Sequence, residues 1–149
     1  MLKSQSILRG TIASILTFAP LTSFSATNTI SGANPAWGTT TNWSLGALPT
    51  ATDNAVIAAT GTVDIRGSAF PTFTTEIQDL TFTTAAAVTL ANNSTSQNMT
   101  LILNGGRGAG VPLLSTTGSF TYTITGTGTG TRTLSLQLNT GGTIDVAGT

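Results

Sequence analysis

The sequence predicts an all-β protein built as a β-solenoid, with a β-sandwich as the alternative. Three observations carry this. Short runs alternate apolar and polar residues, as in Leu80-Thr-Phe82, Val88-Thr-Leu90 and Met99-Thr-Leu-Ile-Leu103; a period of two rich in β-branched residues marks strands with one inward face. Threonine is the commonest residue, 33 of 149, while charged residues make up only 7%. Threonine is β-branched, so it favours extended backbone and lets a sheet face meet water without charge. Clusters of Gly, Pro, Asn and Ser separate the runs, as turns require.

The length suits one domain, and a mean hydropathy of +0.25 fits a packed chain rather than a disordered one. With no cysteine and no histidine, disulfides, Cys/His metal centres and histidine general bases are excluded. The first 25 residues read as a secretory signal peptide. Lys3 and Arg9 form a basic start, Ile12 to Ala19 an apolar core, and Pro20 a break. Ser23 and Ser25 then put small residues at the −3 and −1 places of a cut before Ala26. The apolar core is shorter than the roughly 20 residues that span a bilayer, and no later segment is long enough either. Cleavage leaves three arginines against five acids, a balance with no basic patch, which argues against nucleic acid. An exported chain is secreted or held on the outer cell surface.

Residues 26–55 form a lead-in. Both tryptophans, Trp37 and Trp43, lie there, and Pro35, Gly38, Gly46 and Pro49 forbid a long helix. The favoured reading is an N-terminal cap folded over the first open strand edge. The functional alternative is a pair of exposed rings, Trp37 and Trp43, that stack on sugars.

Residues 56–149 carry the strands. Val56-Ile57 and Thr62 to Ile65 come first; Phe70 and Phe73 in the following loop are expected to tuck against the cap. The resemblance to a known family spans the lead-in and the first of these strands. Trp37, Asn42-Trp43-Ser44, Leu48-Pro49, Asp53 to Ile57, Thr62 to Ile65 and Ile77 to Phe82 together resemble the N-terminal region of bacterial surface proteins with autotransporter-associated β-strand repeats. Many of those proteins end in PEP-CTERM-type sorting signals. The resemblance runs from Ala33 to Asn104. It implies a right-handed parallel β-helix displayed at or shed from the cell surface, and no enzyme. A C-terminal barrel, a sorting motif and a long repeat array are missing from the sequence, so it reads as a fragment, a degenerate gene product or a short relative.

Asn104 to Gly110 is a glycine run after a strand, but its spacing is not that of a phosphate loop and no helix follows. Three further strand runs end the chain: Phe120 to Ile124, Thr133 to Leu138 and Thr143 to Val146. Taking Leu80, Leu101, Ile124 and Ile144 as equivalent inward positions spaces them by 21, 23 and 20 residues, within the range of solenoid coils. The chain then stops at Thr149 just after a strand, which predicts either an artificial end or an uncapped coil that pairs with a partner.

No catalytic, cofactor or metal residues emerge. The acids are Asp53, Asp64, Glu76, Asp79 and Asp145; Asp64 and Asp79 fall in strand runs and could align, yet lack a His, Cys or Lys partner in the mature chain. No calcium-loop pattern is present. Alternating threonines from Thr121 to Thr133 suggest an ice-binding face, but they form one connector rather than pairs repeated on one side. The function predicted is an exported, non-catalytic structural or adhesive surface module. Its candidate partners are surface polysaccharide, matrix or itself; the alternative is a secreted glycan-binding or ice-binding module.

Overall fold

A computed structural model describes residues 25–65, 74–84, 86–94, 97–105, 111–117, 120–126, 132–139 and 144–146. Residues 1–24, Phe70, Phe73, residues 106–110, Thr127, Thr129, Thr131 and Thr149, on which expectations were placed, lie outside them.

The described chain is mostly strand: β1 (Thr27–Ala33), β2 (Asn54–Asp64), β3 (Thr74–Ile77), β4 (Asp79–Phe82), β5 (Val88–Asn92), β6 (Met99–Leu103), β7 (Leu114–Thr116), β8 (Tyr122–Gly126), β9 (Leu134–Leu138) and β10 (Ile144–Val146). Its one helical element is a 3-10 turn at Thr40–Asn42. The alternating runs seen in the sequence fall in β4, β5, β6, β8 and β9. Every strand pair is parallel.

β2 decides the architecture. Its first half pairs with β4, Ile57 opposite Phe82, and its second half with β5, Val63 opposite Leu90. Gly61, at φ +75°, opens the second half, opposite Val88. Because one strand serves two ladders, seven strands join into one curled, half-barrel-like sheet in the order β10-β7-β4-β2-β5-β8, with β1 also on β2. β3, β6 and β9 form a small separate sheet.

Two expectations are corrected here. The right-handed parallel β-helix would place one strand of each turn on each face at a constant repeat. Instead the strands divide seven against three, and the separation of stacked residues rises from 25 between Val56 and Thr81 to 34 between Thr81 and Ser115. The β-sandwich fails because its sheets are antiparallel. The anchors Leu80, Leu101, Ile124 and Ile144 are not equivalent either. Leu80 and Ile144 both flank Leu114, Leu101 lies between Thr75 and Leu136, and Ile124 stacks on Leu90. Alternation tells inward from outward but not which sheet a strand joins.

Inward residues from both sheets make one core. Ile57, Val63, Ile77, Leu80, Phe82, Leu90, Leu101 and Leu103 are all buried within it. The outward positions carry neutral polar groups in register: Thr62, Thr89 and Thr123 in one column, Thr74, Thr100 and Ser135 in another. Parallel sheets normally need cover on both faces; here β-branched and hydroxyl side chains let the outer face meet water.

Candidate functional site

The lead-in folds into an edge seal. β1 occupies the outer edge of β2 from Asn54 to Thr60. Beyond it, Asp64 N–H donates to Pro35 O at 3.1 Å and Trp37 N–H to Asp64 O at 2.8 Å, while Asn34 Oδ1 accepts from Thr62 N–H at 2.8 Å. The free edge of β1 is covered in turn. Ser44 N–H donates to Thr29 O at 2.9 Å, Ser44 Oγ accepts from Thr29 N–H at 3.0 Å, and Ile30 bridges to Trp43. The sequence-predicted ligand residues sit inside this seal. Trp37 and Trp43 pack edge to face, 4.8 Å apart at 76°, and Trp43 Nε1 donates to Trp37 O at 2.7 Å. The 3-10 turn sets this geometry, helped by Asn42 Nδ2 donating to Ala36 O at 2.9 Å. Trp37 is 0% and Trp43 3% exposed, so neither presents a face on which a sugar could stack.

The acids are dispersed. Asp79 pairs with Asn54 at one end of β2, and Asp64 lies at the other end opposite Ala91. The alignment of Asp64 with Asp79 predicted from the strand runs is therefore not formed. Asp53 closes the turn into β2, its Oδ2 accepting from both Thr50 N–H and Thr50 Oγ1 at 2.8 Å. Glu76 Oε2 accepts from Asn104 Nδ2 at 3.1 Å. Among the described residues no group of three or more His, Cys, Asp or Glu could hold a metal ion. The glycine run is described only at its start, where Gly105 N–H donates to Gln78 O at 2.7 Å. The threonine column Thr62-Thr89-Thr123 is single, since the neighbouring column reads Asp64-Ala91-Thr125; a paired threonine face is not built there.

Two features escaped the sequence reading. One is a ladder of side-chain amides beside the small sheet. Asn139 Nδ2 donates to Asn104 Oδ1 at 2.7 Å, and Asn104 in turn donates to Glu76. Its signal was present: Met99-Thr-Leu-Ile-Leu-Asn104 and Leu134-Ser-Leu-Gln-Leu-Asn139 each place Asn after an alternating strand. The other is an apolar groove of about 130 Å³ lined by Phe82, Leu114, Thr116, Phe120, Tyr122 and Ile124. Phe82 and Tyr122 lie 4.9 Å apart, and Tyr122 Oη donates to Thr84 O at 3.1 Å. The groove is lined by apolar and hydroxyl side chains alone, so it can hold an apolar group. No helix among the described residues is long and apolar enough to cross a membrane.

No protein-family model, curated protein or solved structure matches the chain.

Proposed function

We propose that the chain is an exported, non-catalytic structural or adhesive module of a bacterial cell surface, as its resemblance to autotransporter-associated repeat proteins implies. The observation that carries this reading is the outer surface of the sheets. Hydroxyl and amide columns stand in register there, while the carboxylates are scattered among turns and strand ends. Such a surface offers repeated neutral hydrogen-bonding groups to a polysaccharide, to matrix or to a second copy. Glycan binding through Trp37 and Trp43 is the weaker reading, because it requires the edge seal to open.

The test is fractionation of the producing cells with protease treatment of intact cells. The expected product begins at Ala26, lies in the envelope or medium, and is cut from outside. A product retaining Met1 and resisting protease until lysis would refute the surface role. Binding of the purified mature chain to isolated envelope polysaccharide then separates adhesion from a purely structural role.

A further inference from the structure

Asn104 and Gly105 form the one Asn-Gly pair in the chain. Asparagine is chemically labile, and most so before glycine, because no Cβ hinders the next backbone nitrogen as it approaches the side-chain amide. The reaction needs only water. Gly105 N gives up its proton to solvent and bonds to Asn104 Cγ; the Cγ–Nδ2 bond breaks, and Nδ2 takes up a proton and leaves as ammonia. Water then adds across one of the two ring C–N bonds of the succinimide, leaving an aspartyl or an isoaspartyl residue.

The fold holds each reacting group off this path. The nucleophile is engaged, since Gly105 N–H donates to Gln78 O at 2.7 Å. The leaving group is engaged, since Asn104 Nδ2 donates to Glu76 Oε2 at 3.1 Å. The side-chain carbonyl is engaged, since Asn104 Oδ1 accepts from Asn139 Nδ2 at 2.7 Å. The amide is therefore pinned between β3 and the residue that follows β9, and its Cγ cannot swing onto the Gly105 nitrogen without breaking these bonds. The backbone is tied down as well, with Asn104 N–H donating to Ile77 O at 2.9 Å and Asn139 N–H to Leu103 O at 3.0 Å. Attack requires the β3–β6–β9 sheet to open at this corner. The product would not fit back. An ionised carboxylate only accepts hydrogen bonds, so position 104 would lose its donor and set a second carboxylate against Glu76.

We propose that Asn104-Gly105 is a self-modification site guarded by the Glu76–Asn104–Asn139 ladder. It deamidates only when the small sheet opens, and the new carboxylate then keeps the ladder from re-forming. The site thus records opening of this sheet irreversibly, wherever the protein resides.

Modification of a transiently opened segment follows the population of the open form when closing is fast. Conversion at position 104 in the purified protein is followed by peptide mass spectrometry with isoaspartyl detection. It should be at least about tenfold slower in buffer than in unfolding urea. Glu76→Ala and Asn139→Ala should each raise the rate in buffer severalfold and leave the rate in urea unchanged. Glu76→Gln keeps an acceptor oxygen and should stay slow. Asn104→Asp, which mimics one product, should lower the urea midpoint, and lower it less in a Glu76→Gln background. Equal rates in buffer and urea, or a rate in buffer that neither alanine variant changes, would overturn the guarding role. An Asn104→Asp protein as stable as the parent would overturn the block to re-forming the ladder.

Discussion

Gly61 shows how one residue sets the bend of a sheet. It has φ +75°, and a Cβ there would collide with Asn34 Oδ1, the atom that accepts from Thr62 N–H. Gly61→Ala combines a left-handed conformation with a backbone-anchored clash, and should cost about 1–3 kcal/mol, seen as a lower urea midpoint with unchanged slope. Asn92 is a second such residue. Fully buried, it donates to Gln97 O and Thr133 O, each at 2.9 Å, and accepts from Ser94 N–H at 3.0 Å. It ties the β5–β6 turn to the entry of β9. Asn92→Ala strands these buried groups, each worth about 1–3 kcal/mol when left unpaired, so it should destabilise more than Gly61→Ala in the same titration. The tryptophans make a related point. Their number and position are plain in the sequence, but whether a ring faces water depends on the 3-10 turn and on the edge of β1 that Trp43 covers.

Strands were the most legible level. A period of two located β4, β5, β6, β8 and β9 because alternation is enforced by the geometry of extended backbone itself. β1 was missed: Thr27 to Ala33 has little apolar alternation, and its strand state comes from pairing with β2. β2 was read as two strands around a turn, since Gly61 breaks the pattern, whereas the backbone passes through it as one bent strand. Position within a sheet sets the weight of a residue. Leu101 is buried between Thr75 and Leu136, and Leu136 is half-buried on an edge strand. Leu101→Ala should cost about 2–5 kcal/mol, and Leu136→Ala clearly less, by thermal or urea unfolding. The amide ladder predicts coupling between strands. Asn104 bonds both Glu76 and Asn139, so Asn104→Ala and Asn139→Ala should be non-additive in a double-mutant cycle, by about 0.5 kcal/mol or more.

At the scale of the molecule, every ladder joins strands distant in sequence, with side-chain bonds spanning 27 to 41 positions. Loop closure must precede the contacts that reward it, so refolding of residues 26–149 should take milliseconds to seconds rather than microseconds, measured by stopped-flow tryptophan fluorescence. The paired rings of Trp37 and Trp43 report burial directly in that experiment. The dispersal of the described acids also belongs to this scale. Asp64 and Asp79 are both strand residues, but placement at opposite ends of β2 keeps them from acting as a pair.

By itself, the sequence determined the all-β class, the inward and outward faces of most strands and the neutral threonine-rich exterior. These depend on local backbone geometry and composition, which each short stretch carries alone. Only the tertiary structure decided that every ladder among the described strands is parallel, that seven strands share one curled sheet against three in the other, and that the tryptophans are sealed in. Those outcomes depend on which distant strand lies beside which, and alternating Thr, Val and Leu look alike on every face.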